Sequence, residues 1–420
     1  MNTVFVLDTN KQILAPCSRY RAHVLLSSGK AAVFRRIPFT IILKRPIENP
    51  VLPDHRLKID SGSKTTGIAI LNETTGRVIF AAELTHRGQQ IKAALESRRA
   101  IRRNRRSRKT RYRQPRFLNR TRPAGWLAPS LRSRVENVLT WVRRLSRVCP
   151  ITALSQELVR FDMQLMQNAE VSGVAYQQGE LAGYECREYL LEKWGRTCAY
   201  CKKTGVPLQV EHIQPKSRGG SDRVSNLTLA CQPCNQKKNN QTAAEFGFPA
   251  LQARAKVPLK DAAAVNSTRW ALYRRLCETG LPVEVGTGGR TKYNRTRLGL
   301  PKTHWADAAC VGASTPDTLA VAVAKPLLMT AMGRGTYQAC QTDKHGFPIK
   351  HRTRQKKHFG FQTGDLVRAV KSTGKHIGTW VSRVVIRSRP SFTIRIAGKA
   401  VDVHQRDCTR LFAADGYAYA

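Results

Sequence analysis

The feature that most constrains this chain is a pair of Cys-x-x-Cys steps, Cys198 with Cys201 and Cys231 with Cys234. Four thiolates at this spacing are the usual complement of a closed tetrahedral zinc site. A plain zinc ribbon would account for the cysteines alone, but the residues between and after them ask for more. Glu211-His212-Ile213 ends an apolar, strand-like run over 208–213. Pro215 and the turn Gly219-Gly220 follow, then Asn226-Leu227, and Asn235 stands directly after the last cysteine. A small ββ-metal arrangement would bring His212 and Asn235 together around one hard cation. His212 can then take a proton from water while Glu211 and Asn235 hold a divalent metal against a phosphate.

This segment, roughly residues 185–250, resembles the HNH nuclease motif, with specific spacing. The resemblance implies that His212 is the general base, that Glu211 and Asn235 are metal ligands, and that Asn226 orients the loop carrying the base. An aspartate is more usual before the histidine; Glu211 keeps the carboxylate on a longer arm.

The chain has 420 residues, enough for roughly two to four domains. Its 72 Lys and Arg against 28 Asp and Glu give a formal net charge of +44. A chain this basic repels itself unless a polyanion neutralises it, and nucleic acid is the obvious one. An anionic membrane is disfavoured, because no apolar run approaches the ~18 residues of a span and no secretory signal is evident. The 11 cysteines are odd in number, and those outside the two pairs are scattered without a framework. The expectation is a reducing cytoplasm.

The first 45 residues read as a small α/β unit: strands near 4–7, 32–34 and 39–43, and a helix over 19–28. Pro46, Pro50 and Pro53 mark a linker. The run 57–71 reads as a strand ending in Asp60, a turn at Gly62, and a second strand beyond Gly67; residues 77–85 supply a third. An aspartate so placed suits the first metal ligand of an RNase H-like nuclease, and equally an ATP-binding hairpin or an ordinary β-turn. From Ser97 to Val135 there is no acidic residue. Arg98, Arg99, Arg102, Arg103, Arg105, Arg106, Arg108, Arg111 and Arg113 fall in a stretch, 89–113, free of proline and glycine. Arginines at i, i+3 and i, i+4 would destabilise an isolated helix, so an anion must surround it. Arginine in place of lysine favours forked phosphate contacts. Residues 133–148 carry an amphipathic pattern, and a strand beginning near 151 ends around Glu157. Further on, a helical stretch over 267–279 precedes a helix opened by Thr303 as N-cap, with His304 and Asp307 three apart on one face. Short alternating strands at 365–370, 379–386, 391–396 and 401–404 then suggest a small β-barrel-like domain.

Singly, Asp60, Glu157, His304 and Asp307 are weak signals; their order is stronger. A carboxylate on a first strand, a glutamate on a later one and an H-x-x-D helix make the three-part site of a RuvC-like nuclease, which gathers carboxylates around two divalent ions. With the HNH segment between the second and third parts and the arginine helix after the first, the chain resembles the RNA-guided CRISPR nucleases. At this length it is similar to their compact transposon-associated relative, the IscB family. Ile13-Leu14-Ala15-Pro16 stands where that family's N-terminal unit carries P-L-M-P.

The resemblance implies an α/β multidomain chain: an RNase H-like (RuvC) core split in three, an inserted ββα-metal HNH domain with a four-cysteine zinc site, an arginine-rich bridge helix, and a small C-terminal β domain. The expected bounds are 1–53 for the N-terminal unit and 54–86, 126–184 and 251–330 for the RuvC parts. The bridge helix takes 87–125, the HNH domain 185–250 and the C-terminal domain 331–420. It implies Mg2+ or Mn2+ at both nuclease sites, with Asp60, Glu157 and Asp307 as ligands of one and His304 helping to activate water. Structural Zn2+, a structured guide RNA (omega RNA), and a double-stranded DNA target with an adjacent motif complete the expected partners, the protein being monomeric within the ribonucleoprotein. The HNH site would cut the guide-paired strand and the RuvC-like site the displaced one. A protein-only HNH homing or restriction-type endonuclease would leave Asp60, Glu157 and the arginine helix idle. An inert RNA-binding transposon protein would have broken metal ligands.

Overall fold

In the computed structural model the chain forms two compact units, Met1–Lys92 with Arg120–Met329 and Ala420, and Ala93–Asn119 with Thr330–Tyr419. The described residues are 3–107, 125–158, 190–191, 193–220, 224–256, 262–321, 325–332, 340–345, 347–351 and 355–420. The N-terminal residues build β1 (Thr3–Leu7), β2 (Ile13–Ser18), α1 (Arg19–Ser27), β3 (Ala31–Arg35) and β4 (Thr40–Leu43), with sheet order β2-β1-β4-β3. Strand β2 was not expected. It holds Pro16, which lacks a ladder donor, and it lies at the sheet edge, where a proline is tolerated.

The central sheet follows from three apolar runs buried on both faces. β5 (His55–Ser61), β6 (Thr65–Asn72) and β7 (Arg77–Thr85) form an antiparallel meander. β8 (Ile151–Glu157) pairs with β5 in parallel, so β5 is interior to the sheet. Helix α2 (Gly88–Ser107) follows the meander; Arg108, Arg111 and Arg113 lie outside the described residues, as does the stretch 159–184 of the expected second RuvC part. Helix α3 (Pro129–Ser146) buries the expected stripe, Val135, Val138, Leu139, Val142 and Leu145, together with Trp141.

The cysteine segment forms an antiparallel pair, β9 (Leu208–His212) and β10 (Leu227–Cys231), capped by α4 (Gln232–Lys238). Its own core gathers Leu190, Trp194, Tyr200, Leu208, Ile213 and Leu229, closed by α5 (Leu251–Lys256). Beyond it, α6 (Ala262–Cys277) packs against α3, and β11 (Val283–Gly286) extends the central sheet parallel to β8. α7 (Gly288–Arg297) and α8 (His304–Ala309) close this unit, with Trp305, Ala306, Ala308 and Ala309 buried against Ala69, Leu71, Val78 and Ala81. In the other unit, residues 366–371 pair with 378–383 and with 408–412, and a hairpin joins 391–396 to 399–404. Phe392, Ile394, Val367 and Val403 fill its core. The 408–412 strand was not expected; its sequence, Cys-Thr-Arg-Leu-Phe, alternates weakly.

Candidate active site

The backbone of β5 begins the first site. Lys58 and Asp60, two apart on a strand, point to the same face. Lys58 is fully buried and donates to the carbonyl of Val311 at 2.8 Å, just past the C-terminus of α8. Asp60 pairs across the ladder with Gly67 on β6. A Cβ at Gly67 would lie 1.8 Å from the carbonyl oxygen of His304. Only glycine therefore lets the first turn of α8 sit on this strand, and that turn carries Asp307. Thr303 caps it as expected, its hydroxyl accepting from the Ala306 amide. Glu157 enters from the end of β8, the parallel neighbour of β5.

The three expected carboxylates are thus brought into electrostatic range of one another. Burial, and then the neighbouring Glu157 charge, push Asp60 well above the usual carboxylate range, and Asp307 adds to the effect. Asp307 is also raised, first by burial and against the pull of Arg295, with Glu157 contributing. Two arginines, not picked out from the sequence, hold the group together. Arg269 on α6 pairs with Glu157 at 2.6 Å, approaches Asp60 at 3.9 Å and donates to the carbonyl of Ser61 at 3.0 Å. Arg295 on α7 pairs with Asp307 at 2.6 Å. His304 is exposed at the head of α8.

The second site is local. The thiol sulfurs of Cys198, Cys201, Cys231 and Cys234 lie within 4.8 Å of one another. Burial works against a thiolate at Cys198, but amide hydrogen bonds from Cys231, Cys201 and Tyr200 outweigh it and bring the group down to about 7. Cys234 goes the other way, to about 12, through burial and hydrogen bonds with the Cys231 and Cys201 thiols. All described cysteines are free thiols. Such a donor set fits a tetrahedral zinc ion, whose charge would favour four thiolates.

His212 ends β9 and is half-buried. Asn226 clamps the backbone that follows it: its amide donates to the carbonyl of Gln214 at 2.9 Å and its oxygen accepts from the Gln214 amide at 2.9 Å. Its own carbonyl accepts from the amide of Ile213 at 2.8 Å. Asn235, in the first turn of α4, donates to the side chain of Gln209 at 2.8 Å. Glu211 departs from its expected role as an open metal ligand. It is buried, with one carboxylate oxygen 2.5 Å from the ammonium of Lys238 and the other accepting from the Tyr200 hydroxyl at 2.6 Å. The physical reason is strand geometry: consecutive residues on β9 face opposite ways. Lys238, itself fully buried, also donates to the carbonyl of His212 at 2.9 Å, so the pair braces the backbone of the expected base.

Helix α2 carries Arg98, Arg99, Arg102 and Arg103 exposed and Arg106 half-buried. Arg105 lies on the same helix. The described part spans about 30 Å at 1.5 Å per residue. No described helix is long and apolar enough to cross a membrane.

Two families match the chain. Residues 4–179 match one described as RRXRR protein, and residues 198–241 match HNH endonuclease. The first name spells a pattern that occurs here as Arg102-Arg103-Asn104-Arg105-Arg106 on α2. The second spans the four cysteines, His212, Asn226 and Asn235. No curated protein matches the chain. Among solved structures, a Cas9 from Streptococcus thermophilus in complex with the AGAA PAM is similar at a TM-score of 0.26 and 14% identity, over 62% of this chain and 32% of that one. The type II-C Cas9 enzyme from Actinomyces naeslundii is similar at 0.16 and 18% identity, over 48% and 25%. The chain spans about a third of the length of the first and a quarter of the second, and likeness at this level assigns no role to any residue. The matched segment, residues 198–241, is that of an HNH endonuclease, a metal-dependent nuclease unit.

Proposed function

We propose that this HNH endonuclease is RNA-guided, of the IscB kind, and cuts the two strands of a DNA target at two separate sites. The observation that supports this reading is that Asp60 and Glu157, on neighbouring strands, share Arg269 and lie with Asp307 of α8 within electrostatic reach of one another, which an HNH nuclease working alone would leave without a use. Asp60 on an interior strand and Glu157 on its parallel neighbour also support the split RuvC-like core.

In the HNH unit His212 takes the proton of the attacking water. Lys238 fixes its backbone and Asn226 that of Ile213 and Gln214 beyond it, which leaves less to order when substrate arrives. The four cysteines hold structural zinc and keep β10 and α4 in place beside it. In the sheet site the three carboxylates fit divalent ions of the magnesium or manganese type. They are oxygen donors within electrostatic reach of one another, and their mutual repulsion is only partly offset by Arg269 and Arg295. When bound, such ions neutralise phosphodiester charge and activate water. Arg269 and Arg295 set the orientation of Glu157 and Asp307, and His304 stands one turn from Asp307, placed to accept a proton. In the HNH unit Asn235 is the other oxygen donor expected for the metal, while Glu211 is held by Lys238 and Tyr200.

The net charge of +44 and the arginine face of α2 support a large polyanionic partner. A structured guide RNA meets that need and leaves sequence choice to base pairing, with the HNH site cutting the paired strand and the sheet site the displaced one. The basic C-terminal strands would then read the target-adjacent DNA motif. A transposon setting, a single protein copy per ribonucleoprotein and a prokaryotic cytoplasm complete the proposal.

Purification tests it. The protein should carry RNA whose removal by ribonuclease abolishes DNA cutting, and a duplex matching a segment of that RNA should be cut on both strands while an unmatched duplex is spared. Cutting of duplex DNA indifferent to ribonuclease would favour a protein-only HNH homing or restriction-type enzyme.

A further inference from the structure

Behind the carboxylates the central sheet carries a second polar rung. Lys58 on β5 stands opposite Ser155 on β8, and Ser155 stands opposite Glu284 on β11. Two residues on, and therefore on the same face, come Asp60, Glu157 and Gly286. The rung thus lies about 7 Å back along the strands. It meets the segment that leaves α8. Lys58 donates to the Val311 carbonyl at 2.8 Å and to the Thr315 hydroxyl at 3.1 Å. The Glu284 carboxylate accepts from the Ser155 hydroxyl at 2.6 Å, from the Ser314 amide at 2.8 Å and from the Ser314 hydroxyl. Gly286 gives the segment room, because a Cβ there would lie 2.5 Å from the Gly312 amide nitrogen. Gly312 has φ +86°, and a Cβ on it would strike the Glu284 carboxylate. Helix α7 adds a further hold. The amide of Asn294, 5% exposed, donates to the carbonyls of Cys310 at 2.9 Å and Gly312 at 3.0 Å.

Each element that carries or pairs with a sheet-site carboxylate therefore commits a second residue to this segment. β5 carries Asp60 and Lys58, β8 carries Glu157 and Ser155, and α7 carries Asn294 beside Arg295, the partner of Asp307. Helix α8 has six residues, too few to hold its own position. Its packing on the sheet is largely alanine, which fixes depth but resists sliding poorly. Directional hydrogen bonds fix the register. Burial opposes a charge on Glu284, but the Ser155 and Ser314 bonds and the Lys58 ammonium outweigh it and hold its carboxyl below the usual range. A magnesium-type ion demands near-ideal ligand geometry, so a small slide of α8 would be felt at once. We infer that segment 310–315 sets the distance of Asp307 from Asp60 and Glu157, with Asn294 and Glu284 as its positioning residues. The inference rests on the reading of those carboxylates as a divalent-ion site and adds how that site is held to size.

The test uses the full chain without nucleic acid and Mn2+ as the probe, followed by electron paramagnetic resonance alongside thermal melts. Asp60→Ala defines which bound ions belong to the sheet site. Asn294→Leu, which keeps most of the volume but cannot donate, should weaken those ions about tenfold and leave the others as they were. Ser314→Ala, a milder change, should act in the same direction. Glu284→Gln, whose amide oxygen can still accept from Ser314, should recover most of what Glu284→Leu loses. Lowered melting temperatures with unchanged Mn2+ affinity in the folded variants would make the hold merely structural and overturn the inference. If Asp60→Ala costs no ion, the metal reading of the carboxylates falls, and this inference falls with it.

Discussion

The HNH unit and the sheet site of this chain are built in opposite ways. The HNH unit draws its cysteines, His212, Asn226 and Asn235 from one stretch, 198–241, and can be held by a metal in addition to its own small core. The sheet site draws Asp60, Glu157 and Asp307 from three distant places and depends on a ladder, a missing Cβ and a buried lysine to bring them together. A local site stands or falls with its staple. A distributed one degrades by small displacements of the elements that carry it.

The sharpest way to break that contrast is to remove the staple. Structural zinc contributes roughly 10–16 kcal/mol of folding free energy in small zinc units. Cys198→Ser, or a strong chelator, should leave residues 190–256 open to limited proteolysis with the zinc content lost, while the central sheet stays protected. A folded, metal-free unit would erase the difference. A smaller effect is expected at Lys238→Met, which strands the Glu211 carboxylate in a buried site; removing one partner of such a pair costs about 3–5 kcal/mol. Chemical unfolding should show the loss in the HNH unit alone, and adding Glu211→Gln should recover part of it, as a double-mutant cycle reads directly. Additive losses would mean the pair is not formed.

On the sheet side, Gly67→Ala should cost about 1–3 kcal/mol by forcing α8 outward. Its functional effect should exceed its structural one: the cut assigned to the sheet site fails while the HNH cut persists. Equal loss of both cuts would count against separate sites. The smallest expected change is Thr303→Ala, worth about 1 kcal/mol of cap, visible as a modest loss of thermal stability with slower cutting at the sheet site only.

The same contrast decides what was legible in the sequence. The HNH segment declared itself because its chemistry is contiguous and each residue sits at a fixed offset from a cysteine. Asp60, Glu157 and the His304–Asp307 turn could be read only as an order along the chain. Gly67 appeared as half of a turn pattern, whereas its structural use is the close approach of His304. Arg269 and Arg295 carried no signal, since two arginines among 72 basic residues mark nothing until the fold aims them at carboxylates. Glu211 stands next to His212 on β9, and the two-residue period of a strand, which turns neighbours to opposite faces, was already available from the sequence. Tyr200 and Lys238, which take up the Glu211 carboxylate, became visible only once β9 and α4 were packed.

Strand-resolved cleavage tests the division of labour most directly. A duplex that matches the copurifying RNA, labelled differently on each strand, is cut with the ribonucleoprotein of His212→Ala and, separately, of Asp60→Ala. The first should nick only the displaced strand and the second only the paired strand. If either variant loses both cuts while still binding the duplex, the two centres do not act independently and the account is wrong.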